Sequence, residues 1–364
     1  MRPQNNYSFN EIRSKMINLC KNKKINATYN TEKDHGINIP GFNLKDGQSE
    51  TLIWPKAIAS IHLQKESAIN TLRKSSKQIQ NTKKCKTTLD CSAYIQVLFL
   101  TALITTIQDD HILKSILLNL ITTKEHTNQE LIIAPAGATT NNKASKPMQG
   151  FLYEMENYLD IHTINTKCNI KDIIADYNLK EGDIIYIENH KDYEKWNPNG
   201  AWAGEWCLLT SITEENIKVF GFGPGELTYN KMVSQMAKNA YKEKENFDNN
   251  ILGKINKCII KNNSDKKLEN FIDNNTNLTH ILNNSILTNL NTATTIIKNI
   301  HSKNNSKLNI FKKALKSTKK QSKSETKQNG PKSIFKKNVY ITEIIQFNDS
   351  KIDALLLNHT KNLQ

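Results

Sequence analysis

One apolar run constrains this chain more than any other feature: Ala93 to Ile107, interrupted by Gln96, Thr101, Thr105 and Thr106 and ending at Asp109-Asp110. A bilayer span needs about 20 predominantly apolar residues, so the run is too short and too polar to cross a membrane and reads as a buried helix. Asp90-Cys91 stands at its head. With Asp90 as N-cap, Cys91 falls in the first turn, where unpaired backbone N–H groups and the helix dipole favour a thiolate. That position suits a nucleophile; a buried cysteine that only packs is the alternative.

The pattern around this helix predicts an α+β fold. Ala57, Ile58, Ile61, Ile69 and Leu72 recur at roughly helical spacing after Trp54-Pro55, a polar link follows over residues 75–88, and the Cys91 helix runs to about Leu120. Residues 151–164 are short and mixed. Glu181-Gly182-Asp183 reads as a turn, Ile184–Ile187 as a buried strand, and Trp206–Ile212 and Ile217–Phe222 as two strands joined by Glu214-Glu215-Asn216. Tyr229–Tyr241 then places Met232, Val233, Met236 and Ala237 on one helical face, and Val339–Ile345 returns to strand character. A helix followed by clustered strands is not the alternating βαβ pattern.

Charge divides the chain. Of the net +15, residues 247–337 carry +13, with 18 basic and 5 acidic side chains, which leaves the remainder nearly neutral. This Asn/Lys/Ser/Thr-rich stretch reads as a basic, largely disordered insertion, with a helical piece around Phe271–Ile300. The resulting division is an N-terminal extension over 1–50, irregular and loosely attached; a catalytic domain over 51–246; the insertion; and a closing segment over 338–364. The six cysteines have no CxxC or paired Cys/His spacing, so neither a zinc site nor a disulfide framework is expected and free thiols in a reducing, cytoplasmic setting fit better. The first 24 residues lack a signal-peptide core.

A second chemical constellation lies in Gly200-Ala201-Trp202-Ala203-Gly204-Glu205-Trp206. A carboxylate between two tryptophans is partly desolvated, which raises its pKa toward the range useful for acid/base work. Glu205 is therefore a candidate partner of Cys91, and Trp202 and Trp206 are core residues or the walls of a substrate channel.

Asp90-Cys91, then Gly182-Asp183-Ile184-Ile185-Tyr186-Ile187-Glu188-Asn189, then Trp202-Ala203-Gly204-Glu205 occur in an order and spacing that resembles the bacterial spore-coat type of protein-glutamine gamma-glutamyltransferase, over roughly residues 51–245. The resemblance implies a papain-like, NlpC/P60-like fold with its nucleophile at a helix N-terminus on a small antiparallel sheet. It further implies that Cys91 attacks a glutamine amide, that a lysine amine resolves the thioester, that Glu205 and Asp90 are the acid/base residues, and that no calcium or other cofactor is needed. Three positions depart from the family: Asp90 replaces its usual glutamate, Trp206 an asparagine, and Phe222 a histidine. Phe222 is thereby a candidate for the substrate-binding surface.

Two other readings stand beside this one. His190 is the nearest alternative base and would make the chain an amidase, deamidase or cysteine peptidase, although it lies in a polar turn where a histidine is usually solvated. An inactive structural or nucleic-acid-binding protein on the same fold is the other, but Phe311 and Phe335 are the only aromatics in the insertion's lysine-rich second half, residues 302–337, so base stacking is poorly supported. The partners expected are proteins with accessible Gln and Lys, including the chain itself through Gln321, Gln328 and the insertion lysines.

Overall fold

The computed structural model describes residues 7–22, 25, 28–29, 37–38, 67–80, 86–89, 91–120, 155–198, 200, 202–261 and 335–361. The described residues fall into two compact units, one drawn from Met1–Ile187, Gly204–Met232 and Ile341–Gln364, the other from Glu188–Ala203 and Val233–Tyr340. The architecture is α+β, with helices and a mainly antiparallel sheet.

The first unit begins with a helix that the composition of the leader concealed. Phe9–Lys21 (α1) is closed by a capping box: Glu11 N–H donates to Ser8 Oγ at 3.3 Å and Ser8 N–H donates to Glu11 Oε2 at 3.2 Å. Phe9, Ile12, Met16, Leu19 and Cys20 recur at helical spacing and are all buried, so the N-terminal segment is part of the core rather than a loose arm. Thr28–Tyr29 (β1), Ile37–Asn38 (β2) and Lys86–Leu89 (β3) form a small sheet in the order β1-β3-β2, and Ser67–Ile79 is α2.

The apolar run forms Cys91–Thr106 (α3), every described side chain of which is buried or half-buried. It does not continue to Leu120 as one helix. Asp109 accepts from the N–H groups of His111 (2.9 Å) and Ile112 (3.0 Å), starting a new helix at Asp110–Leu120 (α4). The Arg73 guanidinium meets the last carbonyls of α3 and its linker, donating to Ile104 O (2.9 Å), Ile107 O (3.0 Å) and Gln108 O (2.7 Å).

Leu159–Thr163 (β4), Ile170–Tyr177 (α5), Ile184–Glu188 (β5), the single turn Tyr193–Trp196 (α6), Gly204–Thr213 (β6), Asn216–Gly221 (β7), Gly225–Thr228 (β8), Tyr229–Lys261 (α7), Tyr340–Phe347 (β9) and Asp349–Lys361 (α8) complete the described elements. The six-stranded sheet runs β4-β9-β5-β6-β7-β8, so the last strand enters between two earlier ones. Helix α7 continues through residues 247–261, which composition had assigned to the insertion; residues 262–334 lie outside the described set, as does the helical piece expected around Phe271.

One face of the sheet contributes Ile184, Trp206, Leu208, Phe220, Ile345 and Phe347 to a continuous core with α1, α3, α4 and α8. Phe347 illustrates the contact, its ring 5.1 Å from that of Phe9 and 5.2 Å from that of Phe99.

Arg13 ties three distant parts of the chain together. Its Nη1 donates to Asp183 Oδ1 (2.7 Å) and Glu181 O (3.0 Å), while Nη2 donates to Asp349 Oδ1 (2.7 Å) and Phe347 O (3.2 Å). Lys180 Nζ reaches the other Asp349 oxygen at 2.7 Å. Burial raises the Asp349 pKa, but the hydrogen bonds and charges of Lys180 and Arg13 outweigh it and hold the carboxyl below its ordinary value.

Removing Arg13 strands the wholly buried Asp183 carboxylate, so Arg13→Ala is expected to cost about 3–5 kcal/mol in urea unfolding at neutral pH. Because the folded Asp349 pKa is depressed, its contribution is present above the unfolded value of about 3.9 and disappears as pH falls through the folded value. An Asp349→Asn variant should therefore lose stability relative to the parent at pH 7 and converge with it in acid.

Candidate active site

Cys91 is the first residue of α3 and is 5 % exposed, within the core cluster that covers the helical face of the sheet. Asp90 lies outside the described residues. One turn on, Tyr94 stacks on Phe220 (centroids 5.8 Å) and on Phe222 (4.5 Å). Phe222, standing where the resembling family has a histidine, thus fills an aromatic stack against the helix that Cys91 heads. Tyr94 also donates its hydroxyl to the Cys20 thiol, and burial pushes both groups' pKa values up.

Glu205 is the second residue of β6 and is 2 % exposed. Strand alternation sends Trp206 and Leu208 to the face that carries Cys91 and sends Glu205 and Cys207 to the other. Thiol and carboxylate therefore approach the end of β6 from opposite faces. Cys207 senses both: burial pushes its pKa well up, and the charges of Glu205 and Cys91 add to that.

Two glycines shape this end of the strand. A Cβ on Gly221 would stand 2.8 Å from Glu205 Oε1 and 2.9 Å from Met232 Cε, so only glycine leaves the carboxylate its place. At Gly204 a Cβ would enter the phenol of Tyr186, whose ring packs 4.9 Å from that of Trp206. Trp206 is fully buried, a core residue rather than a channel wall, and its indole N–H has no hydrogen-bond partner among the described residues.

Trp202 belongs to the second unit, where its carbonyl accepts from Asn189 Nδ2 at 2.7 Å; Nδ2 also donates to Met236 O at 3.2 Å. His190 is not the solvated turn residue its polar neighbours suggested. Its ring lies 4.7 Å from Trp196 and 5.4 Å from Phe335, and its Nδ1 accepts from Asp192 N–H at 3.1 Å. Burial lowers its pKa; Asp192 opposes that, while Lys191, Lys244 and Lys195 add to it. The Lys244 ammonium, itself nearly buried, is paired with Asp248 at 2.6 Å and lies 5.8 Å from the Trp196 ring.

Glu343 on β9 escaped the sequence reading. It is 6 % exposed, has no hydrogen-bond or ion-pair partner among the described residues, and burial alone pushes its pKa up to about 7. The available signal was the one charged residue in the strand Tyr340–Phe347. Among the described residues no cluster of three or more His, Cys, Asp or Glu side chains is placed to hold a metal ion, and no helix is long and apolar enough to cross a membrane.

Comparison with protein-family descriptions, with curated proteins and with solved structures finds no match to this chain. The resemblance therefore rests on the ordered motifs alone, carried in the described residues by Cys91, Gly182–Asn189 and Trp202–Trp206.

Alkylation of the native protein with iodoacetamide should modify the exposed Cys168 and spare Cys20 and Cys207, read by peptide mass spectrometry with and without denaturant. The folded pKa of Glu343 exceeds the unfolded carboxylate value of about 4.3, so protonation favours the fold below that value and this contribution is lost as pH rises through about 7. Glu343→Gln should accordingly raise the urea midpoint at pH 8 relative to the parent, with a smaller difference at pH 5.

Proposed function

We propose that the chain is a cysteine-dependent, metal-independent protein-glutamine gamma-glutamyltransferase. The observation that supports it best is the position of Cys91: the first residue of a buried helix, beside the end of β6 that carries Glu205. In this reading the Cys91 sulfur attacks the side-chain amide carbon of a protein glutamine. The C–N bond breaks, ammonia leaves with the proton that the Cys91 thiol gave up, a transfer this reading assigns to Glu205 across the end of β6, and a thioester remains. The nitrogen of a lysine amine then attacks the thioester carbon, the thiolate leaves, and an isopeptide bond is formed.

The first-turn N–H of Cys91 is the natural donor to the tetrahedral oxyanion. Asp90, adjacent in sequence, is the assisting carboxylate. The Tyr94–Phe222 stack gives the thiol an apolar, ring-lined flank in place of the family's histidine, so in this reading acid/base work rests on carboxylates. Trp206 and Phe222 shape the surroundings through packing, Trp206 from beneath.

Incorporation of a fluorescent primary amine into a glutamine-bearing protein tests the reading. Wild-type protein should incorporate the label, Cys91→Ala should abolish incorporation, and Glu205→Gln should lower kcat by about 10²–10⁴-fold. Cys91-dependent ammonia release without incorporation would instead identify a deamidase, and absence of both would overturn the assignment.

A further inference from the structure

Strand β4 closes one side of the six-stranded sheet, and among the described residues nothing pairs with its outer edge. The ladder on its inner side fixes which backbone groups face outward. Ile164 N–H donates to Thr342 O at 2.8 Å and Asn348 N–H donates to Tyr158 O at 2.9 Å, in a register that runs from Leu159 opposite Phe347 to Thr163 opposite Glu343. Alternate residues of an antiparallel strand bond to one neighbour, so Asp160 and His162 bond to β9 while Leu159, Ile161 and Thr163 turn their N–H and C=O groups to the open edge. Side chains alternate as well. Leu159 and Ile161 stand opposite Phe347 and Ile345, on the core face of the sheet. Ile345 is 1 % exposed there, whereas Ile161, at the margin, is 44 % exposed.

An edge carrying charges of one sign repels its own copy; this edge is complementary to itself. Turned about Ile161, the strand Leu159-Asp160-Ile161-His162-Thr163 places isoleucine on isoleucine at the centre and carboxylate opposite imidazole on both sides. The outward backbone groups select that centre. Ile161 forms a hydrogen-bonded pair with its counterpart, and Leu159 pairs with Thr163, for about six interchain hydrogen bonds. Asp160 and His162 then meet in non-hydrogen-bonded pairs, where Cα atoms approach to about 4.5 Å and side chains are closest. A centre at Leu159 would set Tyr158 opposite Asp160, and one at Thr163 would set His162 opposite Ile164, so both lose the Asp160–His162 pairs. Within its own chain neither group is ion-paired among the described residues: Asp160 accepts from Asn348 Nδ2 at 3.3 Å, and the His162 ring packs 5.0 Å from that of Tyr177.

We propose that β4 is a homodimerisation edge: two copies of the chain pair antiparallel about Ile161, Asp160 of each against His162 of the other, so that the sheet of one continues into the sheet of the other. The occupant is a second copy rather than a foreign strand because one two-fold axis satisfies the backbone, the apolar centre and both polar pairs at once. The chain's net charge of +15 opposes association, but residues 247–337 carry +13 of it, and at about 0.15 M salt repulsion is screened beyond about 8 Å. Five residues a side make a small interface, so the dimer is of the weak, concentration-dependent class. The pairing does not depend on the transamidation reading.

Sedimentation velocity of the full-length protein, under reducing conditions that keep the exposed Cys168 from forming disulfides, tests the pairing. From about 10 to about 500 µM the weight-average mass should rise from one chain toward two. Asp160→Lys makes the edge wholly basic and His162→Asp makes it wholly acidic, so each variant alone should self-associate at least tenfold more weakly than the parent. An equimolar mixture of the two should recover the dimer, since the opposed edges attract again. Ile161→Pro removes an outward N–H that β9 does not use, a change edge strands tolerate, and should be monomeric with the circular dichroism spectrum of the parent. A parent that stays monomeric throughout the range overturns the proposal, whether the edge is bare or taken by another segment or protein. Dimerisation of either charge variant as strong as the parent's, or a mixture that stays monomeric, overturns it equally.

Discussion

The Arg13 guanidinium is the interaction on which the first unit depends. Its five donors are divided among a carboxylate from the turn before β5, a carboxylate from the first turn of α8, and two backbone carbonyls, and its plane lies near the rings of Phe9 and Phe347. The partners are about 170 and 336 residues away in sequence. A charge so thoroughly buried is tolerable only when every donor is met, so α1, the β5 turn and the β9–α8 junction must arrive together. This couples the first elements of the chain to the last and holds β9 in the middle of the sheet instead of at an edge.

That coupling builds the candidate site indirectly. With β9 inserted beside β5, the strand that leads into α8 lies inside the sheet whose face α3 covers. The same sheet sets Glu205 on the opposite face, tethered in place by the missing side chain of Gly221.

Much of the secondary structure was legible because its signals are local. The apolar run Ile184–Ile187, the strand pattern of Ile217–Phe222, the polar turn between β6 and β7, and the strand character of Val339–Ile345 need only neighbouring residues to be read. The errors were also local in origin. Asparagine and lysine around α1 masked a capping box and an apolar stripe that were both present, and Asp109 cut a helix that hydropathy ran together. His190 looked solvated because its sequence neighbours are polar, whereas its spatial neighbours are Trp196 and Phe335.

By itself the sequence determined that this chain carries a thiol in the first turn of its most apolar helix, a carboxylate among tryptophans, and strands enough for an antiparallel sheet; these follow from residue type and short-range periodicity. Only the tertiary structure decided which side chains share a face. Trp206 became core, Glu205 turned away from the helical layer, and Glu343 was buried on an inner strand, because strand order and register depend on pairings across hundreds of residues that no local pattern encodes.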